Sequence, residues 1–158
     1  MGNAWISICI PLFAMHALGV KAEQVTLTEP KCLENDDCFM KSAGIIARLV
    51  DDLGTSSDEM ARGDVPKAIQ CYMNDTGASK EAVRNHVRDM VREEWKKVNK
   101  YAMENKTLRH SAVEMIPNLS KGAHFLYMDG DGYGIQDKET KVTTSKPLFD
   151  PIPASDAD

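Results

Sequence analysis

The stretch that decides the fold is residues 48–67, which read RLVDDLGTSSDEMARGDVPK. Within it, Asp51, Thr55 and Glu59 recur at i, i+4 and i+8. On an α-helix each step of four residues advances about 40° around the axis and about 6 Å along it, so these three side chains share one face. Two carboxylates and a hydroxyl with room for water molecules favour Mg²⁺ or Mn²⁺ over metals that prefer thiolate or imidazole ligands.

Basic residues flank these three oxygen ligands. Arg48 lies one turn before them, and Lys67 follows the turn formed around Gly63 and Pro66. A divalent cation with Arg and Lys beside it can neutralise a pyrophosphate group, so the stretch predicts a diphosphate site. The alternative is an acidic, solvated helix face, which acids at i, i+4 spacing often produce. Asp52 and Asp58 point elsewhere on the helix and are interpreted as solvated or capping residues.

Apolar side chains recur at helical spacing along most of the chain, and no strand alternation of any length is present. Glycine, proline and capping residues divide this pattern into separate helices. The sequence therefore predicts an all-α fold, with a loop over residues 21–36. The predicted helices span residues 5–20 with a kink near Pro11, 37–62, 67–75, 80–105, and 111–127 with an interruption at Pro117.

The bulk properties describe an ordinary globular chain. Its 158 residues are 42% hydrophobic and 27% charged, with a net charge of −5. Because nucleic-acid binders depend on many Lys and Arg contacts to phosphates, this charge argues against such a partner. The four cysteines lack a zinc spacing and are predicted to be free thiols in a reducing compartment. The charged residues from Arg88 to Lys97 are predicted to form a solvated helix face with a few i, i+4 pairs.

The apolar run at residues 5–20 has two interpretations. It lies where a signal peptide or membrane anchor would, but the first twenty residues contain no Lys or Arg and the run is short for a membrane span. The competing interpretation is a buried helix that lines a pocket. Sequons at Asn74, Asn105 and Asn118 would matter only in a secreted protein.

Four segments of the chain together resemble one protein family. They are NAWISI at the amino terminus, DDLGTSSDE from Asp51 to Glu59, RGDVPK with IQCYMNDTGAS behind it, and DGDGYGIQDKET near the end. Each is similar to the corresponding stretch of plant class I terpene synthases of the monoterpene type. The resemblance runs from about residue 3 to about residue 153. It identifies the chain as the carboxyl-terminal part of the α-helical catalytic domain.

The resemblance also implies roles for individual residues. Asp51, Thr55 and Glu59 would hold one of three Mg²⁺ ions, with Mn²⁺ as a possible substitute. Arg48 and Lys67 would bind the diphosphate that leaves as the allylic cation forms. Tyr127 would present an aromatic face to that cation, and either Asp131 or Asp129 would help to seat the closing loop. Trp5, Ile6, Phe13 and Tyr133 are further candidates for the pocket wall.

The same resemblance implies an architecture and a substrate. The fold would be the carboxyl-terminal part of the class I terpenoid synthase fold, an incomplete bundle of about four to six helices. Residues 1–140 would form the partial metal-binding domain and residues 141–158 an irregular tail. The substrate would be a prenyl diphosphate, geranyl diphosphate first, converted to a monoterpene by a carbon-oxygen lyase. The full-length type would be located in the plastid, and this chain in the cytoplasm.

Two departures from the family pattern matter. No DDxxD motif, which binds the other two Mg²⁺ ions, occurs in the 158 residues. Cys9 and Ile10 stand where relatives have Ser-Gly before the helix-breaking Pro11, so the usual kink does not follow from these residues. We therefore predict negligible activity for the isolated chain.

The remaining expectations concern partners and alternative functions. No nucleic-acid or membrane partner is predicted, and the chain would be a monomer or self-associate weakly through an exposed apolar helix. One alternative function is a small secreted or anchored helical binding protein. The other is a non-catalytic partner of a full-length synthase.

Overall fold

The computed structural model describes residues 2–21, 39–104, 110–128, 130–131, 141–142, 145–146 and 149–150. Over these ranges the chain is helical and contains no strand, which confirms the all-α prediction. The helix bounds agree with the predicted ones to within about two residues, apart from a division of the first helix. The six helices are α1 (Ala4–Ser7), α2 (Ile10–Lys21), α3 (Phe39–Arg62), α4 (Ala68–Thr76), α5 (Lys80–Glu104) and α6 (His110–Leu126).

The first helix is divided close to Pro11, as the sequence predicts. The break falls at Ile8 and Cys9, and Cys9 has φ 65°, in the left-handed region. Pro11 is the second residue of α2, in the first turn, where a missing N–H removes no intrahelical bond. The break is therefore present with Cys9 and Ile10 in place of Ser-Gly. A non-glycine residue in this conformation costs about 1–2 kcal/mol, which the packing of α1 and α2 must offset.

Helix α3 is the centre of the bundle and packs against all five other helices. Its apolar face recurs at i, i+3, i+4 and i+7, so a continuous stripe is buried. The Ser120 hydroxyl on α6 also donates to the Ala43 carbonyl on α3, 3.1 Å away. The core contains Trp5, Ile10, Ala14, Phe39, Met40, Ala43, Ile46, Ala47, Leu49, Val50, Ile69, Val83, Val87, Val91, Val98 and Ile116.

A turn at the end of α3 reverses the chain, so that the residues after it pack against α3. Gly63 has φ 77°, and the Asp64 amide donates to the Glu59 carbonyl at 3.0 Å. This six-to-one bond with a left-handed glycine is the Schellman arrangement, which ends the helix and satisfies its last carbonyls. Pro66 follows after Val65, and α4 begins after Lys67. The turn returns Lys67 to the helix face that carries Glu59.

The outer surface of α5 is charged and mostly solvated, as predicted, but Glu94 is an exception, because its side chain is 13% exposed and its Oε2 is buried with no hydrogen-bond partner. The pairs Arg92–Asp89, Lys96–Glu93 and Lys97–Glu94 form on this surface, at i, i+3 spacing instead of the predicted i, i+4 spacing. None of the described helices combines the length and the apolar character needed to cross a membrane. Cys9 and Cys71 are free thiols, as predicted, whereas Cys32 and Cys38 lie outside the described residues.

Several predictions fall on residues that the structure does not describe. These are nearly all of the loop at 21–36, Asn105, Asp129, Tyr133 and most of the tail from residue 141.

Candidate metal and diphosphate site

One face of α3 carries three oxygen-bearing side chains that are almost completely buried. Asp51 is 7% exposed, Thr55 5% and Glu59 6%. Two cationic side chains contact the carboxylates: Arg48 contacts Asp51, and Lys67 contacts both Asp51 and Glu59. We call these five residues the α3 cluster. The i, i+4, i+8 spacing read from the sequence therefore produces the shared face that it predicts.

Arg48 joins the cluster to α1. Its guanidinium is 3.1 Å from Oδ2 of Asp51 and 3.6 Å from Oδ1 of Asp52. A second nitrogen of the same group donates to the Ser7 hydroxyl at 3.4 Å. Arg48 is itself mostly buried, so its charge acts on the two carboxylates through a medium less polar than water.

Lys67 contacts both carboxylates of the cluster. Its ammonium donates to Oε1 of Glu59 and lies 3.7 Å from Oδ2 of Asp51. Burial acts to lower the pKa of Lys67, but the hydrogen bond to Glu59 and the charges of Asp51, Glu59 and Asp52 outweigh it and raise that pKa. Lys67 is therefore a cation held between two buried carboxylates.

The donor set fits a hard divalent cation such as Mg²⁺. An ammonium already lies between Asp51 and Glu59, so the carboxylates converge on a position that accepts positive charge. Oε2 of Glu59 is buried with no hydrogen-bond partner. The Thr55 hydroxyl donates to the Asp51 carbonyl at 3.0 Å, which leaves its own lone pairs for a metal. In the described part of the chain, no three His, Cys, Asp or Glu side chains lie close enough together to hold a metal ion. The α3 cluster has only two such residues, because its third ligand is a threonine.

Asp52 is a buried residue that binds the start of α4. Its interpretation as a solvated residue is therefore wrong. It is 1% exposed, and its Oδ2 accepts the Ala68 amide at 3.2 Å, which caps the start of α4. Burial raises the pKa of Asp52, while Arg48 and the Ala68 amide act against that rise. The capping interpretation is confirmed, but the capped helix is α4 and not the helix that carries Asp52.

Gln70 was not identified from the sequence, although it helps to fix Lys67. Its side-chain oxygen accepts the Lys67 amide at 3.2 Å, and its side-chain nitrogen donates to the Ser56 carbonyl at 3.4 Å. Together with Asp52, Gln70 holds the backbone at Lys67 against α3. The only sequence signal was a glutamine at the N3 position of α4, which is typical of a capping box.

We expect Asp52→Asn to be tolerated and Asp52→Ala to be costly. Asparagine keeps an oxygen for the Ala68 amide and removes a charge whose burial is unfavourable, so we expect a change within about 1 kcal/mol. Alanine removes the cap and leaves the amide unpaired, so we expect a loss of about 2 kcal/mol. Urea unfolding at neutral pH measures both. Equal losses would show that the charge of Asp52, and not its acceptor oxygen, holds α4.

Tyr127 lies on another side of α3. It lines a cleft of about 640 Å³ between α3, α5 and α6, together with Leu53, Gly54 and Trp95. A Cβ atom at Gly54 would lie 3.0 Å from Cβ of Tyr127, so glycine allows this close approach. No residue of the α3 cluster lines the cleft. Asp131 is half-buried and does not line the cleft either.

The three other wall candidates that the structure describes have different surroundings. Trp5 is part of the core, whereas Ile6 and Phe13 are more than half exposed on α1 and α2.

Arg84 is a structural contact that sequence reasoning missed. It donates to the Leu53 carbonyl at 2.8 Å and to the Ser56 hydroxyl at 3.2 Å, which connects α5 to α3. Burial, followed by the nearby charge of Arg88, lowers the pKa of Arg84. Nothing in the local pattern of α5 separates this arginine from its solvated neighbours, because its partners are about thirty positions away.

Comparison with known proteins identifies several relatives. The chain is 45% identical over 151 residues to the chloroplastic myrcene synthase of Quercus ilex, covering 96% of this chain and 25% of that protein. It is 40% identical to the chloroplastic gamma-terpinene synthase of Citrus limon, covering 97% and 26%. The chain thus spans about a quarter of the length of these curated relatives.

Solved structures show the same fold. A limonene synthase bound to 2-fluorolinalyl diphosphate matches with a TM-score of 0.85 and 33% identity, covering 96% of this chain and 28% of that one. The grey poplar isoprene synthase, in complex with three Mg²⁺ ions and dimethylallyl-S-thiolodiphosphate, matches with a TM-score of 0.81 and 30% identity, covering 96% and 29%. The helices described above are therefore part of the class I terpenoid synthase fold.

The family model described as "Terpene synthase family, metal binding domain" matches residues 1–97, which include the entire α3 cluster. That match, together with the relatives and the shared fold, establishes the conclusion that the chain belongs to the terpene synthase family.

Proposed function

We propose that the chain supplies one side of a Mg²⁺-dependent site that binds the diphosphate of a prenyl diphosphate. Geranyl diphosphate is the proposed substrate, because the relatives reported above include synthases named for myrcene and gamma-terpinene. The proposed reaction is that of a carbon-oxygen lyase, which forms a monoterpene and releases diphosphate. The observation that carries the proposal is the α3 cluster, in which three buried oxygen ligands share one face of α3 and the cations of Arg48 and Lys67 contact its carboxylates.

Each residue of the cluster has a role in this reaction. Asp51, Thr55 and Glu59 would hold one Mg²⁺, and a bound Mg²⁺ supplies Lewis-acid stabilisation of phosphate oxygens. Breaking the allylic C–O bond leaves its electron pair on the diphosphate. Arg48 and Lys67 would stabilise that developing negative charge. Because the cluster is mostly buried, these charges act with little screening by water.

The sequence also limits what the chain does by itself. The 158 residues contain no DDxxD motif, so the ligands expected for two further Mg²⁺ ions are absent from them. We therefore propose that the chain alone has negligible turnover while retaining its single metal site. For the full-length type we propose a plastid location, which the chloroplastic names of the relatives support. The exposed Ile6, Leu12 and Phe13 side chains support weak self-association of this chain.

The first experiment tests the metal site directly. We expect the 158-residue chain to bind Mn²⁺, used as a paramagnetic substitute for Mg²⁺. Asp51→Asn and Glu59→Gln should each weaken that binding about tenfold or more, since each removes an anionic ligand. Electron paramagnetic resonance of free Mn²⁺ measures the affinity. Glu93→Gln is the matched control, because Glu93 is 62% exposed and lies on the solvated face of α5.

Two outcomes would contradict this proposal. Equal Mn²⁺ affinity in Glu59→Gln and Glu93→Gln would show that Glu59 is not a metal ligand. Incubation with Mg²⁺ and geranyl diphosphate should give no terpene by gas chromatography. A product that disappears in Glu59→Ala would show that the chain is active alone.

A further inference from the structure

We propose that Lys67 is a displaceable counter-cation of the metal site. Without a divalent ion, its ammonium holds Asp51 and Glu59 together; when the ion binds, the ammonium moves away and becomes free to bind an anion. This inference rests on the proposed function, because it concerns the same carboxylates. It adds an exchange between two cations, which links metal binding to anion binding.

The contacts of Lys67 are those of a cation at a metal position. Its ammonium is shared between Oε1 of Glu59 and Oδ2 of Asp51, the two carboxylates assigned to the metal. The other oxygen of Glu59 is buried and has no hydrogen-bond partner. Glu59 therefore has unused ligand capacity beside the ammonium. A divalent ion that binds both carboxylates competes with the ammonium for them.

The structure allows the side chain of Lys67 to move while its backbone stays in place. The Lys67 amide is bound by Gln70, and the next amide is bound by Asp52, so the start of α4 is fixed. The Lys67 side chain is 32% exposed, and this open side gives the ammonium a route away from the carboxylates.

Arg48 is less exposed than Lys67 and has an additional partner on α1. Its side chain is 17% exposed, and its guanidinium contacts Asp51, Asp52 and Ser7 at once. Moving Arg48 would break contacts to two carboxylates and to α1. Arg48 is therefore the fixed cation of the cluster, and Lys67 is the exchangeable one.

Exchange has two consequences for binding. The ammonium must be displaced before the metal binds, so it lowers the affinity for a divalent ion alone. Once displaced, the ammonium is an unpaired cation beside a bound metal, which raises the affinity for an anion that contacts both. By linkage, metal and pyrophosphate must then strengthen each other's binding to the same extent.

The experiment compares Lys67→Met with Lys80→Met in the 158-residue chain. Lys80 is the matched control because its ammonium donates to the neutral Ser57 hydroxyl at 3.0 Å. We expect Lys67→Met to bind Mn²⁺ about tenfold more tightly than the unmodified chain, since the competing charge is gone. Lys80→Met should bind like the unmodified chain. Inorganic pyrophosphate should tighten Mn²⁺ binding in the unmodified chain, and this gain should be lost in Lys67→Met.

A second measurement needs no substitution. Acylation of lysines in the unmodified chain, followed by mass spectrometry, should show that Lys67 reacts faster when Mg²⁺ is added. Lys80 should react at an unchanged rate in the same sample. This measurement remains valid if the loss of a cation beside two buried carboxylates prevents Lys67→Met from folding.

The outcomes separate this inference from the proposed function. Suppose that the unmodified chain binds Mn²⁺ through Glu59, that Lys67→Met binds it no more tightly, and that Mg²⁺ does not change the acylation rate of Lys67. The proposed exchange is then wrong, and the proposed metal site is still supported. If no variant binds Mn²⁺, both proposals are overturned.

Discussion

Arg48→Met is expected to lower the free energy of unfolding by about 3 kcal/mol, since breaking a buried ion pair leaves its partner charge uncompensated. The partners here are Asp51 and Asp52, at 7% and 1% exposure, which lie 3.1 and 3.6 Å from the same Arg48 nitrogen. Methionine keeps most of the apolar stem of Arg48, so lost packing contributes little. The substitution also removes the contact from α3 to Ser7 on α1.

Arg92→Met is the matched control for this expectation. Arg92 pairs with Asp89 on the surface of α5, where the two side chains are 72% and 66% exposed. We expect a loss of about 0.5 kcal/mol or less there, because solvent screens an exposed pair. Urea unfolding monitored by circular dichroism gives both values. Adding Asp52→Asn to Arg48→Met should recover part of the loss. Similar small losses at positions 48 and 92 would show that the cluster charges are solvated.

Most of the fold could be predicted because helical periodicity is local information. The apolar positions of α3 and α5 recur at helical spacing, and Gly63, Pro66 and Gly77 mark the ends between them. The break in the first helix is predicted near Pro11, because proline cannot continue a helix interior. It occurs at Cys9, two residues before Pro11, and Pro11 itself falls in the first turn of α2.

The same distinction applies to the candidate site: the positions set by spacing on one helix could be predicted, and the contacts made across a turn could not. Asp51, Thr55 and Glu59 share a face because of their spacing on one helix, so the sequence was sufficient. The ammonium of Lys67 reaches Asp51 and Glu59 because of the turn at Gly63, and the sequence indicated the turn but not the contact.

Contacts between distant helices were the part that could not be predicted. Asp52 accepts an amide sixteen residues away, and Arg84 donates to a carbonyl thirty-one residues away. Each residue looks like an ordinary charged helix position within its own segment. Only the packing of α4 and α5 against α3 gives Asp52 and Arg84 their buried partners, and that packing depends on the whole core.

Gly44→Ala is expected to destabilise the chain by about 2 kcal/mol, since an added methyl group in a tightly packed contact forces the neighbouring backbone to shift. A Cβ atom at Gly44 would lie 2.7 Å from the Trp5 carbonyl oxygen and 3.2 Å from Cβ of Trp5. The carbonyl belongs to the backbone of α1, so it cannot rotate away as a side chain would. Glycine is required here by the close approach of α1 to α3.

Gly122→Ala should have the opposite effect and is the matched control. Gly122 is exposed in α6, and a Cβ atom there would meet nothing within 4 Å. Alanine in such a helical position is expected to stabilise by about 0.5 to 1 kcal/mol, because glycine loses more backbone entropy on folding. Urea denaturation of the two variants and the unmodified chain measures the change in the free energy of unfolding, which should have opposite signs for the two substitutions. A gain in stability at Gly44 would mean that α1 does not pack against α3 in solution. The contact of Arg48 with Ser7 would then be lost as well, because Ser7 is the last residue of α1.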